Sequence, residues 1–162
     1  AIPYILDGHN IISIQSFSKA YGLAGLRAGY AIARPEIASY IAGFQRGFHQ
    51  NRIAHVAILA ALQDQDHLWE NVRVALEGKE WICAQLDTLG IDYLPSQTNF
   101  LIIKLPDTLD ANEVAATMRE ENILVKPQKD RGLENTLRVS ATLPEGNRAF
   151  IETLKKMVIR NS

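Results

Sequence analysis

The pattern that most constrains this chain lies between Asp66 and Gly90. Leu68, Val72, Ala75, Leu76, Ile82, Leu86 and Leu89 recur there at helical spacing. Asp66 is placed to cap the start, and Gly90 to end the helix with the left-handed backbone that glycine tolerates. A helix over residues 67–89 divides the sequence. Ahead of it, residues 11–16 and 29–33 have the β-branched, alternating character of strands. Pro35 and Glu36 suit the first turn of a helix running toward Phe44, and Asn51 is placed to cap another over residues 52–62. Behind it, residues 93–94, 100–104, 123–126 and 137–140 read as strands. Asp110 caps a helix through Glu121, and residues 145–159 close as a helix. Strands alternating with helices predict an α/β or α+β fold.

The segment between the first two strands carries chemistry. It reads Ser-Phe-Ser-Lys-Ala-Tyr-Gly-Leu-Ala-Gly-Leu-Arg-Ala-Gly from Ser16 to Gly29. Lys19 follows the end of a strand, where α/β folds hold their ligands. A lysine amine attacks carbonyls when it is neutral. Arg27 offers a planar fork that matches phosphate oxygens, and Ser16 and Ser18 add hydroxyl donors. Eight extended residues span about 26 Å, so Lys19 and Arg27 reach one small molecule only if the chain doubles back. Gly22, Gly25 and Gly29 offer the positive φ for such a path. The lysine precedes the glycines, so this is no Walker loop, and G-x-G-x-x-G is absent. A lysine beside glycines is more often a solvated surface residue, and glycines also serve close packing.

The segment resembles the cofactor-lysine segment of fold-type I pyridoxal-phosphate aminotransferases, most of all their histidinol-phosphate branch. The resemblance implies that Lys19 bonds to pyridoxal 5'-phosphate and shuttles a proton between substrate and cofactor. It assigns Ser16, Ser18 and Arg27 to the cofactor phosphate. A second match, from Thr136 to Asn147, resembles the family's closing strand and helix. It puts Arg138 on the substrate's acidic group, where an arginine snorkelling off an edge strand is the other reading. Ile123-Leu-Val-Lys-Pro127 is a third match. Lys126 stands there where the family often has an arginine for the substrate phosphate. Gly47-Phe-His-Gln-Asn51 departs from the family's Pro-[FY]-Asn-x-Asn, and Ala141 and Leu143-Pro144 differ too.

The same resemblance implies an architecture. Residues 1–66 correspond to the end of the large-domain sheet, 67–89 to the connector helix and 90–162 to the small α/β C-terminal domain. The family's aspartate on the pyridine nitrogen and its tyrosine near O3' lie upstream of the position matching Ala1. The expectation is a C-terminal fragment that binds the cofactor poorly and catalyses little alone, with orphaned strands that tend to associate. The implied activity is amino transfer between a small-molecule donor, histidinol phosphate, and a keto acid, 2-oxoglutarate, in a homo-oligomer. An aromatic aminotransferase, a threonine-phosphate decarboxylase and a non-catalytic aminotransferase-like sensing module of a transcriptional regulator are the alternatives.

Composition narrows the rest. The 162 residues are 47% hydrophobic and 22% charged with a net charge of −1, which gives no electrostatic case for nucleic acid or a membrane surface. The one cysteine, Cys83, cannot pair within the chain and fits the core in a reducing cytoplasm. His9, His49, His55 and His67 show no metal-ligand spacing.

Overall fold

A computed structural model describes residues 1–45 and 51–160. The Gly47–Gln50 departure and His49 therefore lie outside the described residues. The elements are α1 (Ile2–Leu6), β1 (Ser13–Ser16), β2 (Gly29–Ile32), α2 (Pro35–Gly43), α3 (Arg52–Gln63), α4 (Gln65–Leu89), β3 (Phe100–Lys104), α5 (Ala111–Glu120), β4 (Lys126–Pro127), β5 (Thr136–Ser140) and α6 (Pro144–Arg160). They form two compact units, Ala1–Asn71 and Val72–Ser162.

In the first unit β1 and β2 make an antiparallel hairpin, with Ser13 opposite Ile32 and Ser16 opposite Gly29. The first strand begins at Ser13 rather than residue 11. Helix α1 was not anticipated; Pro3 in its first turn has no amide hydrogen to leave unsatisfied. Asn51 caps α3 as its position implies, its Oδ1 accepting from the Ile53 amide at 2.9 Å. Many apolar side chains here face outward. Ile14 and Tyr40 are 79% exposed, Phe44 83% and Val56 70%, so this unit buries little of its own apolar surface.

Helix α4 starts two residues earlier than its sequence signal. Asp64, not Asp66, caps it: the Asp64 carboxylate accepts from the His67 amide at 3.1 Å. The same residue ends α3, its own N–H donating to Ala60 O at 3.2 Å. Gly90 ends α4 as expected, with φ +66. The Gly90 amide reaches Asp87 O and the Ile91 amide reaches Leu86 O, with Ile91 and Leu86 both buried. That is a Schellman stop with its apolar contact. Only the later part of the predicted stripe is core: Ile82 and Leu86 are buried, whereas Leu76 is 48% exposed.

The second unit is a two-layer α/β arrangement. Its sheet has the order β3-β5-β4, all antiparallel. Leu101 and Ile103 of β3 and Leu137 and Val139 of β5 pack on Ile82 and Leu86, on Val114 and Met118 of α5, and on Phe150, Ile151 and Leu154 of α6. These helix positions recur at three- and four-residue intervals, the stripe that faces a sheet. Asp110 caps α5, its Oδ1 accepting from the Asn112 amide at 2.8 Å and the Glu113 amide at 3.1 Å.

Two expected strands shrink. Tyr93 makes a single bridge to Ile103. The ladder expected over 123–126 forms only at Lys126–Pro127. Ile123 and Val125 pack against the core without pairing, because Asn122 takes φ +60 and the Ile123 amide closes α5 onto Met118 O at 2.8 Å. Cys83 is half-buried against the same core. No helix among the described residues is long and apolar enough to cross a membrane.

Candidate functional site

The hairpin turns the sequence motif into a closed loop. The Phe17 amide donates to Ala28 O at 3.2 Å, and the Leu23 amide to Phe17 O at 3.0 Å. Phe17 is buried, with the Tyr21 and Tyr30 rings at 5.1 and 5.5 Å. This apolar plug fixes the neck, and residues 18–27 project beyond it. The doubling-back required by the motif is therefore present. Lys19 opens a tight turn in which the Gly22 amide donates to Lys19 O at 2.8 Å, with Gly22 at φ +69. Lys19 is exposed, Ser18 half-buried and Ser16 exposed. The Ser16 hydroxyl accepts from the Ser18 amide at 3.1 Å.

The glycines do not all serve as expected. Gly25 and Gly29 lack positive φ; besides Gly22, the residue of the loop that takes it is Arg27, at φ 52 and ψ 50. It ends the short helical turn Ala24–Leu26, and its Nη1 donates to Ala24 O at 2.7 Å. Gly29 has a different duty. A Cβ there would lie 2.6 Å from Gln15 O, so only glycine lets the two strands meet. A non-glycine residue in the left-handed region costs about 1 kcal/mol, and such strain concentrates at functional positions. Beside this loop a cleft of about 560 Å³ is lined by Arg27, Ala28, Asn51, Ala54, His55 and Ile58.

Sequence reasoning overlooked a brace behind the lysine. Asn71, in the first unit's share of α4, donates through Nδ2 to Ala20 O at 2.9 Å. Nothing distinguishes this asparagine in the sequence from one on a solvated helix face. One amine, one hydroxyl and one guanidinium on the pinned loop, with a second hydroxyl on Ser16 at the end of β1, are the donor types that suit a small carbonyl compound bearing a phosphate.

The two other candidates meet in the second unit. Lys126 is the direct cross-strand partner of Arg138, and directly opposite residues share one face of a sheet. On the other side of Arg138 lies β3, with Ile102 opposite and Phe100 two residues away. The Arg138 guanidinium carbon stands 3.9 Å from the centre of the Phe100 ring. Arg138 is half-buried and Lys126 exposed. The Arg138 Nε is buried without a hydrogen-bond partner among the described residues. Phe100 is the second residue the sequence reading missed, since an aromatic opening a strand reads as core.

Comparison with known proteins follows the same lines. Residues 2–154 match the family described as aminotransferase class I and II, enzymes that work with pyridoxal phosphate. A histidinol-phosphate aminotransferase of Moorella thermoacetica is 33% identical over 98% of this chain and 41% of its own length. The chain thus spans about two fifths of that curated relative. Among solved structures, L-threonine-O-3-phosphate decarboxylase of Porphyromonas gingivalis superposes with a TM-score of 0.78 at 28% identity, over 97% of this chain and 50% of that one. Histidinol-phosphate aminotransferase of Sinorhizobium meliloti, in complex with pyridoxal-5'-phosphate, gives 0.74 at 26% identity over 94% and 42%. The superpositions identify the mixed α/β architecture with part of the fold-type I aminotransferase fold. A family match running through nearly the whole sequence leaves one assignment: the chain belongs to the class I and II aminotransferases.

Proposed function

We propose that this chain serves a pyridoxal-phosphate-dependent aminotransferase that moves the amino group of histidinol phosphate to 2-oxoglutarate. The observation that carries the substrate assignment is the Lys126–Arg138 pair. Two cations directly opposite each other repel, and a phosphate dianion between them relieves that repulsion while accepting from both. The relative at 33% identity supports the same substrate.

The cofactor, when bound, supplies an electron sink for the substrate's α-carbon. Lys19 would hold it through Nζ, and the same amine would carry the α-proton when free. Ser16, Ser18 and Arg27 hold its phosphate. Arg138, with Lys126, holds the anionic end of the substrate. Residues 1–66 belong to the cofactor-bearing domain, 67–89 to the connector and 90–162 to the small domain. The exposed apolar side chains of the first unit support a homo-oligomer, and a half-buried free thiol at Cys83 suits the cytoplasm.

A second reading is decarboxylation of threonine phosphate, favoured by the 28%-identical decarboxylase structure. It also needs a phosphate site. The assay supplies pyridoxal phosphate with histidinol phosphate and 2-oxoglutarate, and in parallel with threonine phosphate alone. Glutamate formation supports the transaminase. Carbon dioxide release without a keto acid moves the assignment to the decarboxylase.

A further inference from the structure

We infer that Phe100 is a positioning residue for Arg138, holding the guanidinium so that its donors stay available to an incoming anion. The inference rests on the reading of Arg138 as the anion-binding arginine and adds how that arginine is kept ready.

Arg138 lies in the middle strand of the second sheet, half-buried, with Nε cut off from water and from any acceptor among the described residues. A buried donor without a partner is costly, and structures retain one only where something else compensates or a ligand completes it. A carboxylate is the ordinary compensation for such an arginine. Strands β3, β4 and β5 contain no aspartate or glutamate, and the residue directly across β4 is another cation, Lys126. What the sheet offers instead is the face of Phe100, 3.9 Å from the guanidinium carbon.

The register explains how the ring gets there. Ile102 pairs with Arg138 and Phe100 with Ser140, so Phe100 and Arg138 are diagonal neighbours on one face. An aromatic face attracts a cation through its quadrupole, yet it is a poor hydrogen-bond acceptor. It therefore fixes the guanidinium without occupying the fork. A carboxylate in the same place would hold Arg138 equally well and consume the donors that an anion needs. Lys126 repels Arg138 from the opposite strand, which favours the ring side of the sheet for the guanidinium.

The test titrates the chain with inorganic phosphate by NMR, following the backbone amide cross-peaks of β5 in every chain and, in those that keep Arg138, its Nε–Hε cross-peak. The variants are Phe100→Leu, Phe100→Tyr and Arg138→Gln. Phe100→Leu is expected to weaken phosphate binding by about threefold to tenfold. Phe100→Tyr, which keeps the ring, should bind within about twofold of the parent, since the cation–ring attraction survives. A merely structural role would lower the melting temperature without moving the Arg138 resonance or the phosphate affinity.

The unsubstituted chain gives a second measurement that does not depend on a variant folding. Contacts between Phe100 ring protons and the Arg138 side chain should persist in saturating phosphate while the Hε resonance moves. Loss of those contacts on binding overturns the positioning role. If Arg138→Gln abolishes binding and Phe100→Leu leaves it unchanged, the role of Phe100 fails and the anion-binding reading stands. If Arg138→Gln binds phosphate like the parent, both fail.

Discussion

Gly78 and Asn147 leave no space for a methyl group between them: a Cβ at position 78 would lie 2.6 Å from Asn147 Nδ2 and 3.2 Å from Thr142 O. Asn147 cannot yield easily. It is buried, its Oδ1 accepts from the Thr142 amide at 2.9 Å, and its Nδ2 donates to Thr142 O at 2.9 Å. The asparagine thus closes the turn that follows β5 and opens α6, and glycine lets α4 approach it.

Gly78→Ala should therefore destabilise the second unit although alanine is the better helix former. The propensity gain is about 1 kcal/mol, and overpacking against a hydrogen-bonded amide costs about 1–3 kcal/mol. A net loss of about 1 kcal/mol is expected in urea unfolding. A more stable Gly78→Ala chain would show that the turn relaxes freely and that Asn147 is not a latch.

Tyr93 provides a test at alkaline pH. Partial burial pushes its phenol up to about 12, and the neighbouring Cys83 and Asp87 add to the rise. The Tyr93 hydroxyl lies 3.4 Å from Asp87 Oδ2, a contact that only the protonated phenol makes as a donor. The ordinary value is about 10. A folded value above the unfolded one means that the contribution is fully present below about pH 10 and fades as pH rises toward 12. The parent chain should lose melting temperature faster than Tyr93→Phe across that window. Parallel curves would dismiss the linkage.

Helix stops and caps were largely legible in the sequence because each has one dominant chemistry. Gly90 could only be a left-handed stop, and Asn51 and Asp110 present the short acceptors that free helix amides need. Asp64 was missed because two acids lie within three residues and only geometry selects the one that also ends α3. The apolar run Ile123–Val125 misled for another reason: packing against a core and joining a ladder are different things, and this segment does the first. Within the loop, glycine content suggested three positions of positive φ; Gly22 takes it, Gly25 and Gly29 do not, and Arg27 does. Arginine has no preference for that backbone region, so no propensity reveals it. The Lys126–Arg138 partnership needs register, which depends on where β4 begins.

Arg27 should separate stability from binding. Arg27→Gly removes the left-handed strain, which is worth up to about 1 kcal/mol. Its exposed hydrogen bond to Ala24 O offsets only part of that gain. A rise of about 2–4 °C in melting temperature is the upper expectation. Pyridoxal phosphate binding, read from the absorbance of the protein-bound cofactor, should fall at least about tenfold, because a charged fork on phosphate is lost. A variant that gains stability and keeps its cofactor affinity would remove Arg27 from the phosphate site.

Lys126 offers the sharpest opposition of effects. It faces Arg138 directly across the β4–β5 ladder, so in the absence of an anion the two charges cost the sheet stability. Lys126→Glu turns repulsion into attraction across the same pair. The cross-strand change is worth about 0.5–1 kcal/mol and is weakened by salt because Lys126 is exposed. The variant should melt higher than the parent at low ionic strength and approach it at high salt. Its affinity for histidinol phosphate should fall about tenfold or more, since the new carboxylate both repels the phosphate and occupies the Arg138 fork. Lys126→Arg keeps the charge and adds a fork, so it should bind at least as tightly as the parent while leaving the melting temperature near the parent's. A residue with a purely structural role would move binding and stability in the same direction. If Lys126→Glu melts lower and still binds histidinol phosphate, the cation pair is not a phosphate site.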